Sequence, residues 1–304
     1  MTKTSQKRIV FSLGIFLLLS LSSCSWLKKE QVQKEQLQEE QVQKEQGRKH
    51  ADDVGKQAQI EIETGKFQGA IDLYRETYQT YPQDPNVRSG YIKTLESMKS
   101  KGDQAFDKND FKLAEKIYET LMRNWVHFSD FIPSLSFRKE FLEKKIKMSR
   151  CSLSEEQVSS YLKAEEFRKA IDICKEMYKR YPQDPAVQSG YIRTLESIKT
   201  RGDRAFEERD FARAGCVYEI VLKSVFWVSS LNGSFSFSKE GLIAKIRSCK
   251  KILFENGLKQ YRSGNLNQAI ALWKSILIFD PENEEIKKAV DMATVQVKNL
   301  QNAK

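Results

Sequence analysis

The chain has 304 residues, of which 30% are charged and 40% are hydrophobic, and it contains only 14 Gly and 6 Pro. So few helix-breaking residues favour long helices and argue against a fold of strands and tight turns. The formal net charge is +10, but basic and acidic residues are interspersed without a polybasic block, which disfavours a nucleic-acid partner.

The first 23 residues have the layout of a secretory signal peptide. A basic start with Lys3, Lys7 and Arg8 precedes an apolar run over residues 9–21. This run is shorter than the roughly 20 apolar residues that a membrane-spanning helix needs. It therefore fits the removable segment of an exported protein better than a permanent anchor.

The next feature is Leu21-Ser22-Ser23-Cys24, which resembles the lipobox of bacterial lipoproteins. In that family the cysteine receives a diacylglyceryl group, and the precursor is cleaved just before it. The resemblance implies a covalent lipid on Cys24, no other cofactor, and a location on the periplasmic face of the bacterial envelope. Ser25, where an inner-membrane member would usually have Asp, favours the outer membrane. A lone cysteine behind an ordinary signal peptide is the alternative.

Residues 24–50 are expected to form a polar spacer. Within it, residues 28–46 repeat a five-residue pattern of Lys, Glu and Gln in which Val32, Leu37 and Val42 are the apolar members. Five steps of 100° do not keep these side chains on one helix face, so they cannot form a strong coiled-coil seam. We interpret the segment as a helical or disordered tether, with a partner-binding helix as the alternative.

The remaining sequence has an internal duplication at an offset of 100 residues. Residues 81–85 (YPQDP) recur as 181–185, and residues 89–92 (SGYI) recur as 189–192. This offset predicts three segments: residues 51–150, their copy 151–250, and a final segment 251–304.

Each segment divides into helical hairpins. The last hairpin, over residues 251–281, contains Gly257, Gly264, Ala269 and Trp273. It resembles the tetratricopeptide repeat (TPR), in which a small residue lets two antiparallel helices touch, a Gly turns the backbone, and an aromatic residue fills the seam. Matching positions recur four times upstream. We therefore expect an all-α solenoid of about five TPR-like hairpins, closed by an amphipathic C-terminal helix.

Two features depart from this repeat. Asp84 as N-cap and Pro85 at the first helical position predict a helix that ends at Asp107; it is too long for a standard first helix, and we expect it and its copy to protrude. Aromatic insertions occupy residues 125–137 and 225–237. Their rings either cover an exposed helix seam or contact a partner or lipid surface, and the candidate contact residues are Trp125, Phe128, Phe131, Phe226 and Trp227.

The TPR resemblance implies a protein ligand in a groove lined by the first helix of each hairpin. Asp103 and Asp203 stand where family members that bind the C-terminus of a partner have Asn, so we expect a partner segment with basic and apolar residues instead. Carried across by position, the groove residues are Gln59, Ile62, Glu63, Lys99, Asp103, Phe106, Ser159, Leu162, Lys163, Lys199, Asp203, Phe206, Phe254, Leu258, Tyr261 and Arg262.

The cysteines beyond Cys24 have an open pairing. Four thiols, at Cys151, Cys174, Cys216 and Cys249, allow three connectivities. Cys174 stands at the seam position that aromatic residues fill in other hairpins, so we expect it to be buried as a small hydrophobe. A bridge from Cys174 to Cys216 is the alternative.

The sequence shows no recognisable catalytic or metal-binding motif. Neither His50 nor His127 has Cys or carboxylate neighbours at ligand spacing, and there is no Gly-rich phosphate loop or nucleophile elbow. These features predict a non-enzymatic scaffold for periplasmic or envelope proteins, without a metal, a nucleic-acid partner or a small-molecule substrate. The alternatives are an accessory protein that regulates a cell-wall enzyme and a direct binder of peptidoglycan or lipid through the aromatic insertions.

Overall fold

The computed structural model describes residues 48–227 and 235–302, together with 33–34, 38, 41–42 and 45. The predicted signal peptide, Cys24 and residues 228–234 of the second aromatic insertion lie outside the described residues. Within the described part of the protein, all regular elements are helices, and consecutive helices pack against one another. The predicted all-α class is confirmed, and the packing is consistent with a helical solenoid.

The helices alternate between longer and shorter ones. α1 is described from residue 48 and ends at residue 63. The later helices are α2 (Phe67–Thr80), α3 (Pro85–Asp107), α4 (Phe111–Arg123), α5 (Lys139–Lys163), α6 (Phe167–Arg180), α7 (Pro185–Glu207), α8 (Phe211–Trp227), α9 (Lys239–Arg262), α10 (Leu266–Phe279) and α11 (Glu284–Asn302). Two short 3₁₀ turns, Trp125–Phe128 and Ile132–Ser134, lie between α4 and α5.

The protein forms two compact units, residues 1–149 (unit 1) and residues 150–304 (unit 2), and the division falls within α5. Each unit has its own core of apolar side chains from successive helices. Residue 251, where the duplication places the start of the final segment, lies in the middle of α9. The long helices therefore run across the segment boundaries that the 100-residue offset predicts.

All five pairs of helices, α1–α2 through α9–α10, reverse direction through the same kind of turn. In the second of them the Asp110 amide donates to the Ala105 carbonyl at 2.8 Å, a pattern that ends a helix with one left-handed residue. The residues with that backbone conformation, at φ between 60° and 79°, are Gly65, Asn109, Glu165, Arg209 and Gly264.

Small residues bring the two helices of a hairpin together beneath an aromatic ring. A Cβ placed on Gly102 would lie 2.9 Å from Cε1 of Tyr118, and one placed on Gly257 would lie 2.3 Å from Nε1 of Trp273. Both rings are buried, with exposed fractions of 0% and 3%. The predicted seam residues of these hairpins therefore do meet, and glycine is needed there because the rings occupy the space of a side chain.

α3 begins where predicted, but its first half does not protrude from the protein. The Asp84 carboxylate accepts hydrogen bonds from two backbone amides of the first turn at 2.7 and 3.4 Å, and Pro85 is the first helical residue. Tyr91 on this half of the helix is only 1% exposed, since Tyr74 of α2 and Phe131 of the insertion pack against it. In unit 2, Tyr191 of α7 is also 1% exposed, so the expected protrusion is wrong in both copies.

The duplicated units differ at the seam position of Tyr74. In unit 1 the Tyr74 ring stacks on Tyr91 with 5.6 Å between centroids, and a Cβ placed on Gly90 would lie 2.3 Å from the Tyr74 hydroxyl oxygen. Unit 2 has Cys174 at the position of Tyr74 but retains the glycine, Gly190. Among the described residues, no side chain or neighbouring helix comes within 4 Å of a Cβ placed on Gly190. The smaller Cys174 thus leaves the seam between α6 and α7 partly open.

This difference predicts opposite effects of the same substitution. Gly90→Ala should destabilise the protein by about 1–3 kcal/mol, because the buried Tyr74 ring cannot move away from the added methyl group. Gly190→Ala should stabilise it by about 0.5–1 kcal/mol. Alanine has less backbone freedom than glycine in the unfolded chain, and its methyl group meets no neighbour among the residues that the folded structure describes. Urea unfolding of the two variants measures this, and equal shifts of the same sign would show that the two seams are packed alike.

Candidate functional site

The predicted groove residues differ in exposure. Ile62 is 2% exposed and belongs to the core of unit 1, so its predicted ligand contact is wrong, because its side chain lies on the packed face of α1. The exposed residues are Gln59, Glu63, Ser159, Lys163, Phe254 and Arg262. The half-buried residues are Lys99, Asp103, Phe106, Leu162, Lys199, Asp203, Phe206, Leu258 and Tyr261.

Asp103 is the centre of a polar cluster that joins three helices of unit 1. Tyr118 of α4 donates its hydroxyl to Asp103 Oδ1 at 2.6 Å, and Lys99 of α3 lies 2.7 Å from Oδ2. Lys145 of α5 approaches Oδ1 at 4.0 Å. We call these four residues the Asp103 cluster. The cluster fixes the long helices α3 and α5 to the shorter α4 through charge-assisted contacts.

Two aromatic rings extend the Asp103 cluster on the same helices. The Lys145 ammonium lies 4.1 Å from the centroid of the Phe106 ring, and the Lys99 ammonium lies 5.2 Å from that of Phe141. Both distances allow a cation–π interaction, which is worth about 0.5–1 kcal/mol at partly exposed sites. The result is a half-buried surface in which lysines and phenylalanines alternate.

Unit 2 repeats this cluster at an offset of 100. The Asp203 carboxylate accepts from the Tyr218 hydroxyl at 2.8 Å, and it is paired with Lys199 at 2.7 Å and Lys245 at 2.5 Å. We call these four residues the Asp203 cluster. The position of Phe141 is taken by Gly241 here, and the Lys245 side chain is 42% exposed, against 20% for Lys145. The lysine of unit 2 is therefore more accessible to a partner.

The lysines also set the protonation state of Asp203. Burial alone would raise the pKa of this carboxyl, but hydrogen bonds from Lys199, Lys245 and Tyr218 outweigh that effect and hold its pKa below the usual value. Burial and the hydrogen bond to Asp203 raise the pKa of the Tyr218 phenol. The cluster therefore keeps a charged aspartate and a neutral tyrosine at neutral pH.

The composition of the two clusters changes the expected charge of a partner. Both aspartates already contact two lysines and a tyrosine, so they do not offer free carboxylates to a basic ligand. Each cluster combines one carboxylate with two ammonium groups and thus carries a net charge of about +1 at neutral pH. This surface complements an acidic segment better than the basic one that the aspartates alone suggested.

The first aromatic insertion serves mainly to cover a helix seam. Phe128 and Phe131 are 0% exposed, and Phe131 packs against Tyr91 at 4.8 Å. The interpretation that these rings cover the seam is confirmed for unit 1, and their candidate contact role is wrong because they lie in the core. Trp125 is half-buried against Phe128 and Phe137.

The second aromatic insertion begins differently, because α8 continues to Trp227. Phe226 is 58% exposed and Trp227 is 41% exposed. Each ring has a lysine over it: Lys239 lies 4.6 Å from the centroid of Phe226, and Lys175 lies 5.5 Å from that of Trp227. These two candidate contact residues are therefore available at the surface.

One pair of hydrogen bonds recurs in both units and was not predicted from the sequence. The Glu96 carboxylate accepts hydrogen bonds from the backbone amide and the hydroxyl of Ser136, both at 2.5 Å. Glu196 holds Ser236 in the same way at 2.6 Å. The signal was present, since both residue types recur at the 100-residue offset. In unit 1 the contact joins α3 to the segment that precedes α5. In unit 2 it joins α7 to the segment that precedes α9.

The cysteines of unit 2 that we considered as a bridge are separate thiols. Cys174 and Cys216 are both free, so the alternative pairing is wrong. Cys174 is 9% exposed, and its thiol contacts the hydroxyl of Thr194 at 3.4 Å. Burial raises the pKa of the Cys174 thiol, which keeps it protonated, and its predicted burial as a small hydrophobe is confirmed.

The two histidines of the protein have different surroundings. His127 is exposed, and His50 packs edge-on against Tyr81 with 5.7 Å between ring centroids. The described residues contain no group of three or more His, Cys, Asp or Glu side chains that could hold a metal ion. Of the helices seen in the structure, none combines the length and the apolar character needed to cross a membrane.

The Asp203 cluster makes a pH-dependent prediction. Asp203→Asn should destabilise the protein by about 1 kcal/mol at pH 7, because the amide loses its charge-assisted bonds to two lysines. Since the folded pKa of Asp203 is depressed, its contribution is present above the unfolded pKa of about 3.9 and disappears as the pH falls through the folded pKa. Urea unfolding at neutral and acidic pH should therefore show the two proteins converging in acid.

The exposed Asp291 provides the matched control for this measurement. Asp291→Asn should leave the unfolding midpoint nearly unchanged at both pH values, because a surface substitution away from such contacts has a small effect. A deficit of Asp203→Asn that is just as large in acid would contradict the role of the carboxylate charge.

Comparison with known proteins does not assign this surface to a family. No protein-family model and no curated protein matches the sequence. The candidate site is therefore defined by its geometry: two related lysine, aspartate and tyrosine clusters, of which the Asp103 cluster lies beside the rings of Phe106 and Phe141.

Proposed function

We propose that the protein is a lipid-anchored interaction scaffold of TPR-like hairpins that binds segments of envelope proteins along its long helices. The observation that carries the proposal is the pair of Asp103 and Asp203 clusters. Both place two lysines at equivalent, partly exposed positions near an equivalent phenylalanine, Phe106 or Phe206, although a core alone would not need charges there. Charged and aromatic groups at a partly exposed surface are what protein recognition uses.

The TPR-like character is supported by two regularities of the helix pairs. All five turns use one left-handed residue, and close helix contacts lie beneath aromatic rings, as at Gly102 under Tyr118 and Gly257 under Trp273. Stacked hairpins of this kind expose long surfaces and suit binding more than catalysis. We accordingly propose a role in assembling envelope or secretion complexes, or in regulating a cell-wall enzyme, without catalysis by this protein.

The anchor is supported by the sequence Leu21-Ser22-Ser23-Cys24 behind a basic and apolar start. Several acyl groups on one residue exceed what stable membrane attachment requires, since a single acyl group binds only marginally. We propose that the lipid on Cys24 holds the protein at the periplasmic face of the outer membrane, with residues 25–50 as the spacer.

Photocrosslinking in living cells tests the scaffold. A photoreactive amino acid replacing Lys163 or Phe254, both exposed on long helices, should capture a protein partner that mass spectrometry identifies. The same probe at Ile278, which is 71% exposed on the shorter helix α10, is the matched control. Equal capture of the same proteins at all three positions would argue against a specific surface on the long helices.

Charge neutralisation should weaken the captured complex. Lys245→Gln combined with Lys145→Gln removes one ammonium group from each cluster, and we expect roughly tenfold weaker binding of the identified partner if each lysine contributes about 0.7 kcal/mol. Lys251→Gln, at a position where the side chain is 73% exposed, is the control. Unchanged affinity in the double variant would exclude the clusters from the interface.

Metabolic labelling tests the anchor separately. An alkyne-tagged fatty acid should label the wild-type protein and not Cys24→Ala, because the lipid requires the thiol. The variant should also move from the membrane fraction to the soluble fraction. Equal labelling of both proteins would remove the lipoprotein proposal and leave the scaffold proposal untouched.

A second candidate function is contact with lipid or peptidoglycan through the end of α8. It is supported by the exposure of Phe226 and Trp227 beside two lysines, a combination that suits an anionic interface. In the Cys24→Ala background, the protein should pellet with anionic liposomes or sacculi, and Phe226→Ala with Trp227→Ala should abolish this. Trp125→Ala is the control because its ring is half-buried in unit 1. Undiminished pelleting of the double variant would refute this candidate.

A further inference from the structure

Unit 2 contains a cavity of about 480 Å³ between α5, α6 and α7. This volume lies in the range of about 300–1,000 Å³ that is usual for ligand sites. Its apolar lining comes from all three helices, with Val158 and Leu162 on α5, Ile173 and Cys174 on α6, and Val187 and Tyr191 on α7.

The duplication shows which group is missing from this cavity. In unit 1 the corresponding space holds the Tyr74 ring, which stacks on Tyr91 at 5.6 Å, with an interplanar angle of 13°. Unit 2 keeps Tyr191 in place of Tyr91 and Gly190 in place of Gly90, but it has Cys174 in place of the ring. The surroundings of an aromatic side chain are therefore present without the side chain itself.

The retained glycine strengthens this comparison. In unit 1 Gly90 is required, because a Cβ there would lie 2.3 Å from the Tyr74 hydroxyl oxygen. In unit 2 the described part of the protein places no side chain within 4 Å of a Cβ on Gly190. Glycine in the middle of a helix costs about 0.5–1 kcal/mol relative to alanine, so packing within unit 2 does not account for it.

The charged residues around the cavity are mainly basic. Lys163, Arg193 and Arg201 line it together with one acid, Glu155. Arg193 pairs with Glu155 at 3.2 Å, but both side chains are 68% exposed, so this ion pair is weak and exchanges easily. Arg201 already donates to the Leu162 carbonyl, so Lys163 and Arg193 are the cations that favour a ligand with carboxylates next to the group that enters the cavity.

We propose that this cavity, the α6–α7 pocket, receives an aromatic side chain from an acidic segment of a protein partner. The ring takes the place that Tyr74 occupies in unit 1, beside Tyr191, and neighbouring carboxylates of the partner contact Lys163 and Arg193. The proposal rests on the proposed scaffold function and gives it one chemically defined anchor, since buried aromatic residues often dominate interface energetics.

A peptide titration against the full-length protein tests the pocket. The probe is a fluorescein-labelled decapeptide with a central Tyr between two Asp on each side in a Gly/Ser background, measured by fluorescence anisotropy. Replacing the Tyr by Ala should weaken binding about tenfold or more, which corresponds to 1.4 kcal/mol. Replacing the Asp residues by Lys should weaken binding further.

Two variants close the pocket from opposite walls. Cys174→Phe restores a ring at the position of Tyr74 without its hydroxyl group, and Gly190→Leu fills the cavity from α7. Each should lower peptide affinity about tenfold or more while urea unfolding shows a folded protein. Cys216→Ala is the control, because it removes a thiol of unit 2 that does not line the cavity and should bind the peptide like the wild type. If one closing variant fails to fold, the other still decides.

The outcomes separate this proposal from the scaffold itself. If Cys174→Phe and Gly190→Leu are both folded and still bind the peptide, the proposed role of the pocket is wrong. Capture of a partner by photocrosslinking would still support the scaffold in that case. Displacement of the peptide by p-cresol at millimolar concentration supports entry of a ring. Tight binding of p-cresol that exceeds the affinity of the peptide, or no difference between the Tyr and Ala peptides, would overturn the assignment of a protein segment.

Discussion

The structure depends on one constraint, the close contact of two helices beneath an aromatic ring. A single amphipathic hairpin cannot bury both of its apolar faces, so it needs a glycine or alanine that lets its helices touch, and it needs the next helix to cover it. Gly102 under Tyr118 and Gly257 under Trp273 are examples. Because each ring fills the space above a glycine, neither the glycine nor the aromatic side chain can change in size without altering the packing of the seam. Changing either partner therefore leaves a void or a clash.

The duplication shows this constraint directly, because the same protein contains two units whose equivalent helix seams can be compared. The tyrosine-to-aspartate bonds of the Asp103 and Asp203 clusters recur in both units, as do the bonds of Glu96 to Ser136 and of Glu196 to Ser236. These contacts join helices that are neighbours in sequence and would be needed in any stacked copy. The seam of Tyr74 is the exception, since its equivalent Cys174 gives up a ring and gains a cavity. We interpret that loss of packing as the mark of a binding role in unit 2.

Much of the fold could be predicted from the sequence because local signals determine it. Asp84 with Pro85 starts a helix, and Gly264 ends one, through backbone geometry that neighbouring residues decide. What failed depends on distant contacts. The burial of Ile62 and Phe131, and the covering of Tyr91 in the first half of α3, result from packing between elements, which a hydrophobic pattern alone does not specify.

The candidate site was predictable in position but not in chemistry. The resemblance led to Lys99, Asp103 and Phe106 as surface residues, and the structure brings them together with Lys145 of the next long helix. The spacing of residues in a sequence does not reveal that a carboxylate is already shared by two lysines. For this reason we propose an acidic partner segment in place of the basic one that the aspartates alone suggested. The signal for the cavity in the sequence is the combination of Gly190 with Cys174, since the equivalent Gly90 of unit 1 stands opposite Tyr74.

The recurring turn has a consequence for how the molecule forms. Because five reversals each take only a few residues, most helix partners are close neighbours in sequence, and such local contacts lower the entropy that folding must overcome before it gains energy. Each hairpin can assemble soon after it emerges during synthesis and then act as a template for the next. Asn109, Glu165 and Arg209 adopt the left-handed conformation without being glycine, at about 1–2 kcal/mol each. Glycine at position 109 or 209 would relieve this strain, whereas glycine at position 165 would also remove the ion pair of Glu165 with Arg213.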